Sequence, residues 1–174
     1  MKYKIASCIS QEQAKLLKGL EGSVLNRIFL DDAGEFALSV VIDSSNEELI
    51  IKNCPTNELD GDEYPKLVIE KCEVQTNGYR EIIVGKAIKN ILIVRDEVTW
   101  SVNDNNWLVN SDIGVRVILE DKEWLFIAHD SLAGLIKIIE FSGPMGDKNA
   151  LFEDYWSMKT DILESLKREE ISIY

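Results

Sequence analysis

The chain carries one histidine, His129, and three cysteines, Cys8, Cys54 and Cys72. His129 stands in the run Ala128-His129-Asp130-Ser131. The residue types of a hydrolytic triad lie side by side there. Triad members meet across a fold and not along one strand, so the run predicts no activated nucleophile. The cysteines form no C-x-x-C pair, and with a single histidine their spacing matches no zinc pattern. Asp60-Gly61-Asp62-Glu63 has the residue types of a calcium loop. It lacks the layout, which needs oxygen ligands at alternating positions, a glycine at the sixth and a glutamate at the twelfth. It reads as a solvated acidic loop. The sequence has no glycine-rich phosphate loop, nucleophile elbow or HExxH motif. The expectation is a protein with no catalytic residue, no cofactor and no metal.

Binding chemistry is better represented. Of the four tryptophans, Trp124 and Trp156 fall on apolar stripes that read as core. Trp100 and Trp107 flank the turn Asn103-Asp104-Asn105-Asn106 and are the aromatic binding candidates. Acidic candidates are Asp31 and Asp32, Glu47 and Glu48, the loop acids Asp60, Asp62 and Glu63, and Asp104 in the turn. The net charge is −12, from 19 basic and 31 acidic residues. That disfavours nucleic acid and anionic membrane, which draw their affinity from Lys and Arg, and it favours a basic protein partner. No run approaches the roughly 18 apolar residues of a membrane helix. A sparse, odd set of cysteines fits a reduced, cytoplasmic protein.

The elements that must position these residues are mostly strands. Ser10-Gln-Glu-Gln13 matches a capping box, and Ala14, Leu17 and Leu20 share one face of a short helix. Strand patterns follow at Val24 to Leu30, Phe36 to Ile42, Leu49 to Lys52 and Lys66 to Val74. They are separated by polar turns and by the loop Asn53 to Tyr64. A second series runs Ala87 to Val94, Val98 to Val102, Ile113 to Leu119, Trp124 to Ala128 and Leu135 to Phe141. Ile113, Val115, Val117 and Leu119 alternate with their neighbours, which places them on one face. Apolar residues on both faces of Trp124 to Ala128 place that hairpin centrally, covered on both sides.

The two series resemble one another. Both open on G-x-x-[LI]-x-x-I-x-[LI], at Gly22 and at Gly85. An internal repeat of 22–74 and 85–141 is therefore expected within one domain spanning 1–174. After Gly143-Pro-Met-Gly146, the spacing of Phe152, Tyr155, Trp156, Ile162, Leu163 and Leu166 predicts a long helix over about 148–169. The expected fold is α+β and mostly antiparallel β. Two similar β-rich halves carry a short N-terminal helix and a long C-terminal helix packed on the sheet.

In size, acidity and strands such as Asp112-Ile113-Gly114-Val115 followed by Trp124-Leu-Phe-Ile127, the chain resembles the small immunity proteins of bacterial toxin systems. That resemblance is one of overall character. It implies a non-catalytic protein that binds and neutralises a basic toxin domain, with the acidic loops supplying electrostatic steering. Two other expectations stand beside it. One is a small-molecule-binding or enzymatic β-domain with a pocket between the halves near Trp100 and Trp107. The other is a structural homo-oligomer joined through an exposed strand edge.

Overall fold

The computed structural model describes residues 1–31, 35–129, 134–143 and 148–174. In chain order the elements are β1 (Lys2–Ser7), α1 (Gln11–Gly19), β2 (Val24–Leu30), β3 (Phe36–Ala37), β4 (Ser39–Ser44) and β5 (Glu48–Asn53). Then come β6 (Thr56–Asn57), β7 (Glu63–Tyr64), β8 (Leu67–Lys71), β9 (Arg80–Ala87), β10 (Asn90–Val102) and β11 (Asn105–Ile118). The chain finishes with β12 (Lys122–Ala128), β13 (Ile136–Ser142), a 3-10 turn (Lys148–Phe152) and β14 (Ser165–Ser172).

Most of the described strands form two large sheets, and β6 with β7 makes a separate antiparallel two-stranded hairpin. The first, five-stranded, has the order β8-β5-β4-β2-β9. The second, seven-stranded, has the order β14-β10-β11-β12-β13-β3, with β1 added against β11. The pairings are antiparallel except β1 with β11, which is parallel. The sheets pack face to face. Leu25, Ile28, Val40, Ile42 and Ile51 of the first join Ile93, Val115, Val117, Phe126 and Ile138 of the second in one buried cluster. Leu17 of α1 and Leu20 just past its end complete that cluster. The capping box that starts α1 forms as expected. The Ser10 hydroxyl accepts from the Gln13 N–H at 3.2 Å, and the Gln13 side chain accepts from the Ser10 N–H at 3.1 Å.

Three expectations are corrected. First, the chain is mainly antiparallel β and not α+β, because there is no long C-terminal helix. Residues 148–152 make one 3-10 turn, 153–159 are turns, and 165–172 form strand β14. The stripe that suggested a helix does not share one face. Phe152 and Trp156 are buried, whereas Ile162 is 64% and Leu166 46% exposed. Asp154 has a left-handed φ of 60°, and the Thr160 hydroxyl accepts from the Ile162 N–H at 3.1 Å, a local bond that competes with a helix. Tertiary pairing along β10 then outweighs the modest helix propensity of Ser165 to Ser172.

Second, Phe36 to Ile42 is not one strand. β3 pairs with β13 in the second sheet, while β4 pairs with β2 in the first. Asp31 fastens the crossing, accepting from the N–H groups of Leu38 at 2.9 Å and Ser39 at 2.8 Å.

Third, Ile113 does not share a face with Val115 and Val117. Val94 pairs with Gly114 and Arg95 with Asp112, so Ile113 is an extra residue on β11. This β-bulge turns Ile113 to the outer face of the second sheet while Val115 and Val117 face the first. Gly114 suits the crowded position. A Cβ there would lie 3.3 Å from the Phe126 carbonyl oxygen and 3.5 Å from Leu125 Cδ1.

One side chain joins the sheets at their rim. Asn53, at the end of β5, is buried. Its amide donates to the carbonyls of His129 at 2.8 Å and Leu135 at 2.9 Å, and its oxygen accepts from the Lys66 N–H at 3.1 Å. Gly134 makes the approach feasible, since its φ is +64° and a Cβ there would meet the Asn53 carbonyl oxygen at 2.8 Å. Asn53→Ala should lower stability in urea unfolding by about 2–3 kcal/mol, because three hydrogen bonds between a buried side chain and part-buried backbone groups are lost at once. A loss under about 0.5 kcal/mol would mean that water replaces these bonds at no cost.

Candidate functional site

The second sheet is apolar on both faces, and its outer face is the part of the molecule built with the most specific polar chemistry. β10 and β11 extend past the sheet-on-sheet contact and join through Asn103 and Asp104, with φ of 49° and 63°. Two consecutive left-handed residues give the turn whose twist matches an antiparallel hairpin. That register sets Trp100 directly opposite Trp107. Their rings stack at 5.6 Å with 9° between planes, and Tyr3 of β1 stacks on the other side of Trp107 at 5.0 Å.

Two covers lie over this face. One is the hairpin of β6 and β7. Asp60 in its loop accepts from Trp107 Nε1 at 2.8 Å and from the Tyr64 hydroxyl at 2.7 Å. Burial alone would raise the Asp60 pKa. The two side-chain donors and backbone N–H groups outweigh it and hold the carboxylate below its ordinary range. Burial, and then the Asp60 carboxylate, push the Tyr64 phenol far above its usual value. The other cover is the segment from the 3-10 turn to Thr160. Its Phe152 and Trp156 belong to the same buried cluster as Ile5, Tyr64, Val98, Trp100 and Leu125.

Buried charges fix both covers. Lys159, with its side chain only 5% exposed, reaches across to Asp62 Oδ1 at 3.0 Å and to the Glu63 carbonyl, and lies 5.0 Å over the Tyr64 ring. Asp96, fully buried on β10, accepts from Trp156 Nε1 at 2.8 Å. It also takes a two-pronged contact from Arg168 on β14 at 2.7 and 2.6 Å. The same Arg168 guanidinium sits 4.5 Å over the Phe152 ring. Arg116, also buried, is held by Glu123 and Glu170. Past the bulge, Asp112 pairs with Arg95 at 2.6 and 2.9 Å and accepts the Ile9 N–H at 2.8 Å.

The acids and tryptophans singled out by sequence fall into separate places. Asp60, Asp62, Glu63 and Trp107 come together in the hairpin cover, with Trp100 buried beneath. The two tryptophans face the outer side of the second sheet, where they line a shallow pocket of about 330 Å³ with Lys2, Asn106 and Glu164. Glu47 and Glu48 lie in and after the β4–β5 turn, at the opposite end of β5 from that cover, and Glu47 pairs with Lys71 at 3.4 Å. Asp31 is spent on its own loop. Asp104 is exposed at the hairpin tip, and Asp32 lies outside the described residues. His129 meets the Phe36 ring edge-on at 5.4 Å. The cysteines are dispersed. Cys8 faces Asn110, where burial and then the Asp112 carboxylate push its thiol up; Cys54 is exposed; Cys72 packs by Phe29, Val41 and Ile50.

A feature that sequence reasoning missed lies on the C-terminal cover. A groove of about 390 Å³ runs between Phe152, Trp156, Leu163 and Leu166, edged by Asp154 and Asp161. Met158 beside it is 75% exposed and Ile162 64% exposed. The signal was present, since Lys159 is the lone basic residue between 149 and 166. Assigning the apolar residues to a helix stripe hid it.

No family model matches the chain, and no curated protein or solved structure matches it. No helix among the described residues is long and apolar enough to cross a membrane.

The Asp60 contacts make a pH prediction. A carboxylate held below its ordinary pKa of 3.8 contributes stability in full above that value and loses it as pH falls through the lower folded value. The stability gap between wild type and Asp60→Asn, from urea unfolding at a series of pH values, should be constant above about pH 5 and close on acidification. A gap that widens toward low pH would contradict this assignment.

Proposed function

We propose that the protein is a non-catalytic acidic interaction protein that binds a basic protein domain through its C-terminal cover. The observation that carries the reading is the fate of the positive charge. Lys159 and Arg168 turn inward to Asp62 and Asp96, so the outward face of this segment keeps its carboxylates and exposes its apolar residues. Glu153, Asp154, Asp161 and Glu164 are exposed there beside Met158, Ile162, Leu163 and Leu166. Apolar anchors rimmed by one sign of charge suit a protein partner of the opposite sign. Carboxylates at the rim speed encounter and suppress wrong partners, while the apolar groove supplies contact area.

The finer form of the proposal is an immunity-type role in the cytoplasm, with a toxin domain as the basic partner. Its support is the overall character of the chain: its length, its net charge of −12 and its strands.

Capture by the tagged protein from its native host, at low and moderate salt, tests the reading. A basic partner should be recovered and released as salt screens the contact. Glu153→Lys with Asp161→Lys should weaken capture about tenfold, equivalent to about 1.4 kcal/mol. Both side chains are exposed, so the melting temperature should be unchanged. Absence of a basic partner at either salt, or equal capture by the double variant, would overturn the proposal.

A further inference from the structure

Strand β14 is paired with β10 along one edge and lies at the end of the second sheet, so among the described residues no strand pairs with its other edge. We infer that this edge pairs with the same edge of a second copy, joining two second sheets across a two-fold axis. The inference is independent of the basic-partner reading and rests on the order of charges in Ser165-Leu-Lys-Arg-Glu-Glu-Ile-Ser172.

Symmetry limits the registers. Opposed residues in an antiparallel pair point to the same face, and a two-fold axis through the sheet preserves faces. One residue must therefore oppose its own copy. Centring on Lys167 or Glu169 sets like, exposed charges against each other at the axis, and centring on Glu170 sets Glu169 opposite Ile171 and Lys167 opposite Ile173, with no opposite charge across it. Centring on Arg168 does neither, because each guanidinium is already held by the buried Asp96 of its own chain.

With Arg168 at the centre, Lys167 lies opposite Glu169 of the second copy, and Glu169 opposite Lys167 of the second copy. Within one chain, Lys167 Nζ and Glu169 Oε1 are already 2.7 Å apart, and their side chains are 68% and 50% exposed. The dimer thus closes a ring of four charges in which every neighbour is of opposite sign. On the other face, Leu166 meets the aliphatic stem of Glu170, whose carboxylate stays with Arg116.

An edge of eight residues buries less than the roughly 1,200 Å² of a typical stable interface, so the dimer should be weak. Salt is a poor diagnostic. It screens the local ring, but it also screens the mutual repulsion of two chains of charge −12. Charge exchange separates the two effects. In sedimentation velocity at about 100 μM, a concentration chosen to populate a weak dimer, the wild-type chain should be dimeric. Lys167→Glu and Glu169→Lys should each be monomeric at the same concentration, and the double variant should recover the dimer, because exchange restores the alternating ring. Melting curves of the single variants should match wild type in dilute solution, since both residues are exposed. A monomeric wild type, single variants that stay dimeric, or a double variant that stays monomeric would each overturn the inference.

Discussion

The second sheet is apolar on both faces, and most of the remaining architecture answers that constraint. The first sheet covers one face with Leu25, Ile28, Val40 and their neighbours. The other face carries Val98, Trp100, Val109 and Leu125, which the β6–β7 hairpin and the C-terminal segment shield from water. Neither cover is long enough to bury much area alone. Each is fastened by charge and hydrogen bonds: Asp60 to Trp107, Lys159 to Asp62, Arg168 to Asp96. Burying such charges is costly unless each is paired and hydrogen-bonded, and here each is. They also select register. Asp96 faces Arg168 across the ladder, and a slip of β14 by one residue would carry the guanidinium to the opposite face.

Charge is distributed accordingly. Net charge from composition counts every lysine and arginine as available to solvent. Arg95, Arg116, Arg168 and Lys159 are not, because each is committed to a carboxylate of its own chain. Lys18, Lys52, Lys86 and Lys122 are likewise engaged at the surface, by Glu21, Glu70, Asp121 and Glu140. The field outside the protein is therefore shaped by where the uncommitted carboxylates lie, and the C-terminal cover is one such place.

Local signals in the sequence were read correctly where local forces decide. The capping box at Ser10, the strand Val24 to Leu30 and the turn at Asn103-Asp104 all depend on neighbours a few residues away. What failed depends on distant partners. The bulge at Ile113 is fixed by the pairing of β10, and nothing in the alternation of Ile113, Val115 and Val117 announces it. The C-terminal stripe had helical spacing, yet Arg168 and Glu170 find buried partners on β10 and β11 only when 165–172 is extended. The candidate site was legible in its parts and not in its assembly. Asp60 and Trp107 stood out by type, but they are 47 positions apart, and only the folded chain makes them donor and acceptor.

The parallel strand β1 has a bearing on how the chain is made. Its partners run from Asn106 to Ser111, so the first strand pairs with residues more than a hundred positions downstream. A ribosome releases the chain in order, N-terminal part first. Until β11 has emerged, Lys2 to Ser7 has no ladder to join, and its backbone must stay hydrated or be shielded by another protein. Tyr3, whose ring finally rests on Trp107, is exposed through that interval. The aromatic stack is therefore a late event in the life of each molecule, and the outer face of the second sheet is completed only after most of the chain exists.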